Sequence, residues 1–173
     1  MKKLFILLIL LILPINSYAL IEVDITRGNL DPLPVAVSPL SIDENSKKQF
    51  KDILDKEDVG AEISNVVENN LRTSGLFNPL NKDAFLQAPD IANLKPRFED
   101  WNLIKAQALI TGKVNFEDGK LRVEFRLWDV LAAKEMMALA FTTVPTNWRR
   151  VGHIISDKVY ERLTGEKGYF DTR

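Results

Sequence analysis

The 173 residues contain no cysteine, which removes disulfides and any lipid attached at a cysteine. They contain a single histidine, His153. With no second histidine or cysteine near it, a zinc site or a histidine-centred general base has no partners, and a helix-surface or partly buried side chain is the simpler reading. The eight glycines fall in neither the Walker nor the dinucleotide spacing, and none of Ser38, Ser41, Ser46, Ser64, Ser74 and Ser156 sits in a Gly-x-Ser-x-Gly turn. Positive charge is not in excess, 23 basic residues facing 24 acidic ones, whereas phosphate recognition needs concentrated Lys and Arg. Together these absences argue against an enzyme, a cofactor, a metal and a nucleic-acid partner. No catalytic, cofactor-binding or metal-binding residue is assigned, and a non-enzymatic interaction protein is expected.

What is present begins with Met1-Lys2-Lys3, ten residues of Leu, Ile and Phe from Leu4 to Leu13, then Pro14 and Ser17-Tyr18-Ala19. A membrane-spanning helix needs about 20 apolar residues. A run this short, with a positive start and a small-residue end, predicts a signal peptide over residues 1–19, cut after Ala19 and leaving no stable membrane insertion. Removing 19 of 173 residues leaves 154, one ordinary domain, and without Lys2 and Lys3 the 21 basic and 24 acidic residues give a formal charge of −3.

Along the mature chain, Ile21, Val23 and Ile25 alternate with Glu22, Asp24 and Thr26 before a turn at Arg27-Gly28-Asn29. The next apolar run, Leu33 to Val37, lies among Pro32, Pro34 and Pro39, which predicts an edge strand or the start of one because proline cannot donate to a ladder. Ser41 to Asp58 has few apolar anchors and reads as a linker or loose turn. Its carboxylates Asp52, Asp55, Glu57 and Asp58, interleaved with Lys51 and Lys56, read as a solvated charged segment. Val59, Ile63, Val66, Val67 and Leu71 recur at helical spacing, predicting a helix over 59–73 with Asp58 as cap and Gly75 as stop. Leu76-Phe77 opens a short extended piece ended by Pro79, and short helices are predicted at Asp83 to Gln87 and Phe98 to Ile104.

Ala108 to Phe116 and Leu121 to Leu127 alternate around Asp118-Gly119, a hairpin signal, and a third strand over about Met136 to Val144 completes a meander. A last helix from Thr146 or Asn147 to Leu163 carries the stripe Trp148, Val151, Ile155, Val159 and Leu163, with the basic pair Arg149-Arg150 facing either acidic neighbours or a partner. The expected fold is α/β of the α+β kind, in two layers: a mixed sheet including the meander, with two main helices on one face. Residues 20–165 form the domain, and 166–173 are an extended tail. The segment from Ile21 to Asp31 has two readings, a first strand of the domain's own sheet or a strand offered to the sheet edge of a partner.

The order of Glu22-Val23-Asp24-Ile25-Thr26-Arg27-Gly28, Leu71-Arg72-Thr73-Ser74-Gly75-Leu76-Phe77, Ala108-Leu109-Ile110-Thr111-Gly112-Lys113-Val114, Trp148-Arg149-Arg150-Val151-Gly152-His153 and Lys158 to Phe170 resembles the amino-terminal domain of the TolB family of the Tol-Pal system. The resemblance implies a periplasmic α/β domain ahead of a six-bladed β-propeller, working in envelope integrity and cell division. It implies that the mature N-terminal strand binds the C-terminal domain of TolA, which falls on Glu22, Val23, Asp24, Ile25, Thr26, Arg27 and Gly28. The propeller would start near Gly168 to Arg173, where this sequence stops, and it supplies most of the contact with the lipoprotein Pal, so Pal binding is left without its main surface. The competing expectations are a truncated or split-gene fragment with no independent role, and, from a different class, a small periplasmic enzyme using His153.

Overall fold

Asp118 and Gly119 both take positive φ, 50° and 74°, the geometry whose twist matches the strands of a two-residue hairpin. They join β4 (Ala108–Glu117) to β5 (Lys120–Asp129), which pair antiparallel from Glu117 opposite Lys120 to Ala108 opposite Asp129. β6 (Lys134–Thr143) pairs antiparallel with β5 and completes the meander. It starts two residues before the expected Met136. Lys134 and Glu135 pair with Asp129 and Trp128, and a register shift at Leu127/Trp128 leaves Met136 without an opposite residue.

The computed structural model describes residues 31–172, so residues 1–19 and the predicted partner segment Glu22–Gly28 lie outside the described residues. β1 (Leu33–Val37) runs parallel to both β3 (Phe77–Pro79) and β4, and β2 (Ser41–Ile42) runs parallel to β4 further along. The result is a mixed six-stranded sheet of order β3-β1-β4-β5-β6, with β2 beside β4. β1 is therefore interior, which corrects the edge placement. The prolines fit there because the carbonyl of Pro34 accepts from the Gln107 N–H at 3.0 Å. Gln107 precedes β4, so the missing proline N–H faces chain that has not yet joined the ladder.

Ser41–Asp58 is not a linker. After β2 it forms α1 (Glu44–Leu54), capped by Asp43, whose carboxylate accepts from the N–H groups of Asn45 and Ser46. One aromatic anchors this polar helix: Phe50 is 0 % exposed and meets Phe116 edge-on at 5.3 Å. α2 (Val59–Thr73) spans the residues its periodicity predicts. α5 (Trp148–Thr164) follows a single 3₁₀ turn at Pro145–Asn147 and stops at Gly165, φ 75°. The stripes of α2 and α5 cover one sheet face, where Val35, Ile110, Val123, Phe125 and Leu127 complete the main core. Each such side chain contributes roughly 1.5–3 kcal/mol by leaving water.

The opposite face carries a smaller layer. Pro89 opens α3 (Pro89–Leu94), a helix not predicted from the sequence, its absent N–H falling where a helix start has no partner. α4 (Phe98–Leu103) follows as predicted. Trp101, with Ala36, Ala92, Leu109 and Val130, forms a second apolar cluster. The helix expected over Asp83 to Gln87 is only a 3₁₀ turn at Lys82–Ala84; Phe85 is extended and packs on Trp101 at 5.0 Å.

Candidate interaction site

The predicted partner-binding residues, Glu22 to Gly28, precede the point at which the described chain enters its sheet. At the start of β1 the Leu33 N–H donates to the Leu76 carbonyl at 2.9 Å.

The residues weighed for chemistry occupy structural posts. Nδ1 of His153 lies 2.9 Å from Nδ2 of Asn70, and the same amide nitrogen donates to Ser156 Oγ at 2.9 Å. Ser156 is 0 % exposed and donates its own proton to the Gly152 carbonyl at 2.8 Å. That hydroxyl is committed to the backbone, so the trio ties α2 to α5. Ser64 accepts from the Leu40 N–H at 3.0 Å, and Ser46 accepts from the Phe116 N–H at 2.9 Å while donating to Asp43 at 2.6 Å.

The charged stretch is likewise structural. Asp58 caps α2 by accepting from the Ala61 N–H at 2.8 Å. Lys51 pairs with Asp55 at 3.0 Å, and its hydrogen bond holds the Asp55 carboxyl below the ordinary carboxylate range. Burial pushes the Glu68 carboxyl up, but hydrogen bonds from Arg72 and Lys82 outweigh it and hold the group low. Among the described residues no cluster of His, Cys, Asp or Glu could hold a metal ion, and no helix is long and apolar enough to cross a membrane.

The basic pair divides its work. Arg149 lies over the Trp148 ring at 4.7 Å, and Lys56 over the same ring at 4.8 Å. Arg150 pairs with Asp171 of the tail, Nε to Oδ1 at 3.0 Å and Nη2 to Oδ2 at 3.1 Å. Sequence reasoning missed the posts of Asn70 and Asp171 because a polar side chain in a helix or tail has no periodic signature that names its partner.

Residues 21–136 match the family model for the TolB amino-terminal domain. The chain is 81 % identical, over all of its 173 residues, to the Tol-Pal system protein TolB of Pelagibacter ubique (strain HTCC1062), and it spans 38 % of that relative's length. The crystal structure of TolB from Acinetobacter baumannii superposes with a TM-score of 0.64, covering 82 % of this chain and 30 % of that one; at 21 % identity this likeness shows the fold alone. On the family match and the identity across its full length, the chain belongs to the TolB family of the Tol-Pal system.

Proposed function

We propose that this domain is a periplasmic adaptor of the Tol-Pal system, offering its mature N-terminal strand, Glu22 to Gly28, to the C-terminal domain of TolA. The observation that carries the reading is the 81 % identity to a Tol-Pal system protein over the whole chain. Export by a signal peptide cut after Ala19 delivers the segment as the new N-terminus. An alternating segment such as Glu22-Val23-Asp24-Ile25 suits strand addition. Its main-chain groups supply hydrogen bonds to an exposed sheet edge, while side chains on alternate faces supply selectivity. The role is binding rather than catalysis, in service of envelope integrity and cell division.

The test is titration calorimetry of the mature chain, with and without Leu20 to Gly28, against the C-terminal domain of TolA from the same genome. Binding by the intact chain and none by the shortened one, with both folded by circular dichroism, is expected. Binding at full strength without the segment would overturn the reading. No binding by either chain would favour the alternative that these residues act only as part of a longer protein.

A further inference from the structure

Past Gly165 the chain turns and runs back along α5, and a series of contacts holds it there. Thr164 Oγ1 accepts from the Glu166 N–H at 3.1 Å. Tyr169 and Phe170 meet the Tyr160 ring edge-on at 5.5 and 5.9 Å. The two carboxylate oxygens of Asp157 accept separately from consecutive backbone N–H groups, Phe170 at 2.7 Å and Asp171 at 3.0 Å. Asp171 then meets Arg150 in the two-pronged pair already described. From Thr164 through Tyr160 and Asp157 to Arg150, successive anchors step back along one side of the helix.

The fit at Gly168 is closest. A Cβ built there would lie 2.4 Å from Asp157 Oδ1 and 2.5 Å from Asp157 Cα, the latter a backbone atom that cannot move without bending α5. Only a residue without a side chain lets the tail lie this near. An exposed ion pair such as Arg150–Asp171 contributes little alone. A carboxylate receiving two backbone donors, a glycine seated against the helix and two rings on Tyr160 together make a fixed geometry, and linkers between independent domains make few such contacts.

We propose that Gly165–Asp171 is a clasp that fixes the direction in which the polypeptide leaves this domain, so that a following domain, as in relatives of greater length, is oriented by α5 rather than hung on a free tether. The partner is thus the continuation of the same polypeptide. Asp157 and Gly168 are its positioning residues.

The chain's lack of cysteine makes the test direct. Spin labels at Glu161→Cys and Thr172→Cys would report the distance from α5 to the tail by double electron–electron resonance. A single narrow distribution is expected in the parent, and loss of that narrow peak in Gly168→Ala and in Asp157→Ser. Trypsin should cut after Lys167 about tenfold faster in both variants, the factor for one or two net hydrogen bonds. Circular dichroism of each variant monitors the fold; Asp157→Ser replaces the two carboxylate oxygens by one shorter hydroxyl that cannot serve both N–H groups and adds no bulk, so it decides the matter should Gly168→Ala fail to fold. A broad distribution in the parent, or an unchanged one in a folded Asp157→Ser chain, would overturn the clasp.

Discussion

Gly152 of α5 lies so close to Val66 of α2 that a Cβ on the glycine would come within 2.8 Å of both Cβ and Cγ1 of the valine. Alanine normally favours a helix over glycine by about 1 kcal/mol. Here the added methyl must push the helices apart, and overpacking costs about 1–3 kcal/mol. Gly152→Ala is expected to destabilise the domain, and adding Val66→Ala should recover part of the loss through the space it opens. Urea denaturation of the two single variants and the double variant checks this. Additive losses would show that the two positions do not compete for volume.

Asn70 satisfies His153 and Ser156 with one amide nitrogen. Asn70→Ala leaves the Nδ1 of His153 and the buried Ser156 oxygen without that donor, a loss of about 1–3 kcal/mol for unsatisfied buried groups. The deficit should appear as a lower urea midpoint with an unchanged slope. A variant as stable as the parent would show that water replaces the amide.

Gln87 is nearly buried, and its Oε1 accepts from the indole N–H of Trp101 at 2.9 Å and from the Arg97 N–H at 2.8 Å. Its Nε2 donates to the Lys95 carbonyl at 3.2 Å. Gln87→Leu keeps the volume and strands all three groups. It is expected to cost about 2 kcal/mol or more by the same penalty for unmade bonds. Hydrogen exchange at the Arg97 amide should accelerate alongside the loss of stability, and an unchanged rate would count against the assigned bond.

The cap of α1 links stability to pH. The Ser46 hydroxyl first, then the N–H groups of Ser46 and Asn45, hold the Asp43 carboxyl below the ordinary aspartate value of 3.8. A group lowered in the folded state binds fewer protons there than in the unfolded chain. Its contribution is therefore complete above about pH 5 and is lost as pH falls through 3.8 toward the folded value. Asp43→Asn should flatten that part of the stability profile. Guanidinium denaturation between about pH 2.5 and 6 measures it, and an unchanged acid limb would remove Asp43 from the account.

The fold was legible wherever a periodic pattern ran its full length. Five apolar residues at helical steps mark α2 from end to end, and the two strands around Asp118-Gly119 alternate along most of their length. α1 was not legible because its burial rests on Phe50, with Ser46 the other buried residue, and one aromatic makes no period. β1 was misplaced because the rule that proline avoids interior strands depends on where the neighbouring ladder starts, which is a tertiary fact. α3 is only six residues, and its Pro89 marks a helix start as readily as a break. The candidate site differs in kind. Alternation in Glu22 to Gly28 allowed two readings, and only the family resemblance chose between them. The tail's anchors on Asp157 had no signal beyond Gly168 itself.

The place of β1 in the sheet bears on the order in which the domain assembles. β1 comes first in the described chain, yet both its neighbours, Phe77–Pro79 and Ala108–Ile110, come much later. A polypeptide delivered N-terminus first holds Leu33–Val37 unpaired until those residues emerge. The β4–β5 hairpin needs no such wait, since hairpins close in about 1–10 μs and contacts remote in sequence form slowly. Refolding kinetics should therefore find Val123→Ala slowing folding and Val35→Ala chiefly speeding unfolding, as expected for a strand captured after the rate-limiting step. Among the described residues the leading strand is thus the last to be locked in, because both of the strands that flank it are made later in the chain.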